Sequence, residues 1–193
     1  MVTVTPPSPR ALRTRARILD AALDLFERQG YDATTVAEIA ARAQITSMTF
    51  FRHFPTKAAV LVSDPYDPLI ARSVAAQPRD LAPVERVRRG LLAALGTIEP
   101  VEDATAARRV RLVAAHPSLR SAVVAATADT ERAIVEALVA DGADPFDAGV
   151  AAAACLGACN AALLMLPDPH GRSDELHLGA AVTRALDLLG RTS

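Results

Sequence analysis

Residues 35–55 read TVAEIAARAQITSMTFFRHFP, and the fold follows from this stretch. Thr35 stands three residues before Glu38, the spacing of a capping box in which hydroxyl and carboxylate each satisfy an amide at a helix start. Val36, Ile39 and Ala40 give the short helix that follows an apolar face. The pattern ends near Ala43, and Gln44-Ile45 makes a tight turn. Thr46 then caps a second short helix, Ser47 to His53, which Phe54-Pro55 breaks. Phe50 and Phe54, four apart, share its inner face with Ile45 and read as core rather than as stacking platforms. Ser47, Met48, Thr49, Phe51, Arg52 and His53 are left for its outer surface.

Working outward, Ile18, Ala22, Leu25 and Phe26 recur at helical spacing from Thr14 onward, with Asp20, Asp24 and Glu27 opposite. Gly30 stops that helix. Residues 1–10, polar and proline-containing, read as a flexible arm. Downstream, Thr56 caps a fourth helix with Lys57 in its first turn. Asp64-Pro65 and Asp67-Pro68 interrupt it before the pattern resumes to about Ala76. Gln77 to Ala82 is a linker. Further helices are predicted over Pro83–Thr97, Val101–Ala115, Leu119–Ala140, Pro145–Leu166 and Asp174–Leu189, with prolines or glycine at their boundaries. No strand pattern and no internal repeat stands out. The expectation is an all-α chain of about nine helices: an arm over 1–10, a three-helix head over 11–57 and a helical body over 58–193.

Charge divides along the same line. Residues 1–57 hold eight Lys/Arg against five Asp/Glu, a balance of +3, and residues 58–193 hold thirteen against seventeen, a balance of −4. A basic module on an acidic remainder suits a head that faces phosphates and a separate body. Two short capped helices joined by a four-residue turn have helix-turn-helix geometry, in which the second helix enters the major groove while the first crosses the backbone.

Other functions find little support. The four histidines lack metalloprotease spacing, and there is neither a glycine-rich phosphate cradle nor a G-x-S-x-G elbow. Asp168, His170, Asp174 and His177 read as a polar connection rather than a metal site. No enzyme activity, metal or cofactor is expected. Cys155 and Cys159 read as small apolar core residues of a reducing compartment. The apolar run Ala148 to Leu166, broken by Gly149, Gly157 and Asn160, reads as a buried helix rather than a membrane span. With no signal-peptide core at the N-terminus, a cytoplasmic location and no membrane partner are expected.

Three segments carry a family resemblance. Thr14-Arg15-Ala16-Arg17-Ile18-Leu19-Asp20-Ala21-Ala22-Leu23-Asp24-Leu25-Phe26 resembles the first helix of the TetR family. Gly30 to Ala40 resembles its second, and Thr49-Phe50-Phe51-Arg52-His53-Phe54-Pro55-Thr56-Lys57 its recognition helix and the start of the fourth. The resemblance covers residues 11–62, about a quarter of the chain. It implies a homodimer whose heads each read half of a palindromic operator on double-stranded DNA, and a body that holds a small-molecule pocket and the dimer interface.

Carried over residue by residue, the resemblance gives Thr34 and Thr35 as phosphate contacts, Lys57, the sole lysine of the chain, as another, and Thr49 and His53 as base or phosphate contacts. Ser47, Met48, Phe51 and Arg52 complete the DNA-binding set, with Arg15 and Arg17 as further electrostatic or minor-groove contacts. The chain departs from the family pattern where Gln44 replaces the usual turn glycine, where Ser47 and Met48 stand in usually basic and small positions, and where Phe51 replaces a tyrosine that donates to phosphate. Met48 can pack on a thymine methyl but cannot read guanine as an arginine would.

In the body, Leu91, Leu95 and Val113 belong to a greasy interior whose small residues leave room for an apolar or acyl-like effector. Asn160, isolated in an apolar helix, either orients that ligand or satisfies backbone or interface groups, and His116 and Tyr66 are further candidates for the pocket. The last two helices are apolar enough to need a partner. The resulting expectation is a ligand-responsive repressor released from its operator by the effector. The alternative is a ligand-binding or protein-interaction module that has lost specific DNA binding.

Overall fold

The computed structural model of the chain describes residues 8–63, 67–97, 100–165 and 178–190. Among these it contains ten α-helices, one short 3₁₀ turn and no strand. The chain divides into two compact units between Val62 and Ser63.

The first unit holds α1 (Pro9–Gln29), α2 (Val36–Arg42), α3 (Ser47–His53) and α4 (Ala59–Val62). Helix α1 begins earlier than expected, and residues 8–10 are not part of a flexible arm. The Ser8 hydroxyl accepts from Ala11 N, and Pro9 occupies the first helical position, where its missing N–H is no loss. The three predicted threonine caps are present. The Thr35 hydroxyl accepts from Glu38 N at 3.2 Å while Glu38 Oε2 accepts from Thr35 N at 2.8 Å, which closes the capping box. Thr46 accepts from Thr49 N and Thr56 from Ala59 N, both at 3.1 Å. The unit's core is Ile18, Leu23, Phe26, Ile39, Phe50, Phe54 and Val60, all essentially inaccessible to solvent. Burying each such side chain contributes about 1.5–3 kcal/mol.

The second unit comprises α5 (Asp67–Ala75), α6 (Pro83–Leu95), α7 (Pro100–Ala115), the 3₁₀ turn Pro117–Leu119, α8 (Arg120–Ala140), α9 (Pro145–Met165) and α10 (Leu178–Gly190). Helix α9 packs against α6, α8 and α10, and α5 lies on α6 and α8. On α9 the buried residues are Ala148, Ala151, Ala152, Cys155 and Leu156. Their spacing places a narrow, small-residue stripe against Val87, Leu91, Ile134, Leu138 and Leu186. The close approach of α5 and α6 requires Gly90, since a Cβ there would lie 2.6 Å from the Val74 Cα. Burial pushes the Cys155 thiol up to about 11 and the Cys159 thiol up to about 12, so both stay protonated and inert near neutrality. A buried ion pair braces the unit. Arg86, 2% exposed, holds Asp141 at the end of α8 at 2.6 Å, and Arg79 reaches the other carboxylate oxygen at 2.7 Å. Residues 168–177, with the polar cluster noted above, lie outside the described residues.

Candidate nucleic-acid interface

The helix-turn-helix is built as its sequence predicts, with one conformational surprise. Gln44 adopts the left-handed region at φ +53°, the conformation that the usual glycine would take without penalty. The turn between α2 and α3 therefore keeps the glycine-type geometry despite its side chain. Gln44 N donates to Ala41 O and Ile45 N to Ala40 O, so the turn closes on the last residues of α2.

Phe50 of α3 and Phe54, its C-cap, point inward at 0% and 2% exposure, while Met48 is 82% and Phe51 52% exposed. Ser47 and Arg52 are exposed as well. Positions 47, 48, 51 and 52 fall on one side of a helix, so the outward face of α3 is Ser-Met-Phe-Arg. Thr49 is half-buried, and its hydroxyl lies 3.1 Å from that of Thr46. Its availability to a base edge is thereby reduced. The half-buried His53 imidazole lies below its ordinary pKa through burial first and then through Arg52 and Arg15. Its surroundings in the free protein therefore disfavour the imidazolium form.

Much of the head's positive charge holds the head together. Arg15 Nη1 donates to His53 O at 2.9 Å and stacks 4.1 Å above the Phe54 ring. Arg17 donates to Ala43 O. Each guanidinium meets a carbonyl at the C-terminal end of a short helix, where the peptide dipoles favour a cation. Lys57 Nζ donates to Tyr31 O at 2.7 Å and Thr34 O at 2.8 Å, and sits 4.2 Å over the Tyr31 ring. Thr34 is 1% exposed, and its hydroxyl donates to Gly30 O at 2.8 Å. Thr35 is exposed, but its hydroxyl serves the capping box. The network around Arg15, Arg17, Lys57 and Thr34 is not visible in sequence spacing, because each bond joins positions remote along the chain or uses a backbone carbonyl.

The sequence-derived pocket residues face different neighbours. Leu91 is part of the core shared with α9, whereas Leu95 lies beside Gly179 of α10. Val113 is buried on α7, and His116, just past the end of that helix, has Nδ1 2.7 Å from Leu112 O in its last turn. Asn160 Nδ2 donates to Thr127 Oγ1 of α8 at 3.1 Å, a partner that sequence could not name. Tyr66 lies outside the described residues.

Comparison with known proteins agrees with this geometry. The family model for bacterial regulatory proteins of the tetR family matches residues 18–63, and that for the MftR C-terminal domain matches residues 81–192. The HTH-type transcriptional regulator TcmR of Streptomyces glaucescens is 32% identical over 114 residues, covering 55% of this chain and 50% of that protein. The chain thus spans about half the length of that curated relative. SmeT, the repressor of the Stenotrophomonas maltophilia multidrug efflux pump SmeDEF, is 25% identical over 90% of this chain and 87% of its own, with a TM-score of 0.55. FadR of Bacillus subtilis, solved with stearoyl-CoA, is 16% identical over 90% of this chain and 96% of its own (TM-score 0.52), a likeness of fold. With the head matched by one family model and more than half of the chain by a TetR C-terminal model, the chain belongs to the TetR family of bacterial regulatory proteins.

Proposed function

We propose that the chain is a ligand-responsive transcriptional repressor that works in the cytoplasm as a homodimer on a palindromic operator. The observation that carries this reading is the outward face of α3, where Ser47, Met48, Phe51 and Arg52 are exposed on a helix locked from beneath by Phe50 and Phe54. A short helix with an exposed outer face and a buried inner one is what groove insertion needs. Thr49 and His53 belong to the same helix, and Thr35 and Lys57 are the further proposed contacts outside it. Their internal bonds favour a role for Lys57 and Thr34 in shaping the surface, with Arg52 as the cation nearest the groove.

The dimer reading rests on α9. Its side opposite the core carries Phe146 (77% exposed), Val150 (50%) and Met165 (85%), with Ala153, Ala154, Gly157 and Ala161 also exposed between them. An apolar stripe of this length on a soluble protein calls for a partner, and a second copy of the same helix supplies one of matching chemistry. By length and composition α9 could also cross a membrane. Its buried side, seated against α6, α7, α8 and α10, favours the soluble reading.

An effector acts by linkage: a ligand that binds the body better in one arrangement of the two heads lowers operator affinity by the same coupling. SmeT has been solved in complex with triclosan, which supports a small-molecule effector for this chain. The Asn160–Thr127 pair is the proposed polar element of an otherwise apolar site, with Val113, His116 and Tyr66 as further lining candidates. Gel shift with DNA flanking the encoding gene, repeated over a ligand panel, tests the whole reading. A specific complex dissolved by one ligand is expected, and a ligand that binds without changing operator affinity contradicts the mechanism. The exposed Met48 and Phe51 also favour a second reading, a protein-interaction module without specific DNA binding.

A further inference from the structure

We infer that Met48 and Phe51 form an apolar reading patch that selects a thymine in each operator half-site by its 5-methyl group. The inference rests on the DNA-binding reading above and goes beyond it by naming what α3 recognises. Polar groups on α3 are fewer in practice than in sequence. The Thr49 hydroxyl lies 3.1 Å from that of Thr46, which itself accepts from Thr49 N. The His53 carbonyl accepts from Arg15, and its ring is half-buried. Ser47 and Arg52 are the remaining polar side chains of the exposed face, and they bracket Met48 and Phe51.

Met48 is 82% exposed and Phe51 52%, so together they make the centre of that face apolar. Their side chains differ in stiffness. The Phe51 ring meets the fully buried Phe50 ring edge-on, with centroids 5.5 Å apart and planes at 86°, which pins it as a wall. Met48, three residues earlier on the same side, is unbranched and adapts to what it meets. In the major groove the apolar group presented by a base pair is the thymine 5-methyl; the other edges are donors and acceptors. The unit that carries the patch has a balance of +3 over residues 1–57, with Arg52 exposed beside it. That charge complements a polyanion and favours DNA over an apolar protein surface as the occupant.

The test uses the full chain. Duplexes that bind it are enriched from a randomised library, and each thymine of the enriched site is then replaced singly by deoxyuridine, which removes the methyl and nothing else. One thymine per half-site is expected to lose about fourfold in affinity on replacement, the size of one buried methyl, and about sixteenfold when both half-sites are changed. In Met48→Ala the same replacement is expected to change affinity less than twofold, while Met48→Leu retains the dependence. Because Met48 is 82% exposed, neither variant disturbs the core, and unchanged thermal unfolding verifies this. An enriched operator at which no thymine methyl matters, or a methyl dependence unaltered in Met48→Ala, overturns the inference alone. If no duplex is enriched and the patch binds a protein instead, the DNA-binding reading falls with it.

Discussion

The ammonium of Lys57 lies 2.7 Å from the carbonyl oxygen of Tyr31 and 4.2 Å from the centre of the same residue's ring. A second carbonyl, that of Thr34, takes another of its protons at 2.8 Å. The side chain thus ties the segment before α4 to the loop between α1 and α2. Charge-assisted bonds of this kind contribute about 1.5–3 kcal/mol when shielded, and somewhat less at a half-exposed site such as this one. Lys57→Met is accordingly expected to lower the urea midpoint of the chain by the equivalent of about 1–2 kcal/mol. An unchanged midpoint with weakened DNA binding would assign Lys57 to phosphate contact alone.

Gln44 holds φ +53° in the turn that aims α3. A non-glycine residue pays about 1–2 kcal/mol for that conformation, more when β-branched. Gln44→Gly is expected to be neutral or to stabilise by up to about 1 kcal/mol, since relief of strain is partly offset by greater freedom of the unfolded chain. Gln44→Val is expected to destabilise by about 1–2 kcal/mol beyond that. Chemical denaturation of the two variants gives the comparison, and equal midpoints would remove the turn from the account.

Acid should loosen the second unit through Glu85. Its carboxylate is held down at about 2, first by the hydrogen bond from Arg88 and then by Arg89, against an ordinary value of 4.5. Folding therefore favours the charged form. The contribution is fully present above about pH 4.5 and is lost progressively as the pH falls toward about 2. Glu85→Gln should lower Tm near neutrality and converge with the unaltered protein at the acid end. Parallel Tm curves from pH 2 to 6 would contradict this.

The exposed stripe of α9 gives the dimer prediction. Val150 is 50% exposed, and a Cβ at Gly157 would meet nothing within 4 Å in the single chain. Val150→Arg and Gly157→Glu should leave helicity intact while shifting sedimentation from dimer to monomer, because a charge at the centre of an apolar interface goes unpaired. A monomeric parent, or dimers that survive both changes, would place the interface elsewhere.

How much of this was legible in the sequence depends on the range of the interactions. Caps and breaks are local, so Thr35 with Glu38 sets the start of α2, and Thr46 with Pro55 sets both ends of α3, to the residue. The body helices Pro83–Leu95 and Pro145–Met165 likewise lie within two residues of their predicted ends, where proline and glycine mark the boundaries. Ser8 was missed because its cap needs the proline after it to be read as a helix start rather than as a breaker. The roles of Arg15, Arg17 and Lys57 were not legible, since each meets a backbone carbonyl 23 to 38 residues away, and carbonyls leave no mark in a sequence. The same holds for Thr127 as the partner of Asn160.

The central claim is that α3 reads DNA in the grooves of a two-fold operator, and a hydroxyl-radical footprint of the full chain on its enriched duplex tests it most directly. Two protected patches on one face of the duplex, centred about one helical turn (~34–36 Å) apart, are predicted. They should persist against excess scrambled DNA, and the affinity should fall linearly on logarithmic axes as salt rises. Protection that vanishes with scrambled competitor, or a single patch without two-fold spacing, would contradict it.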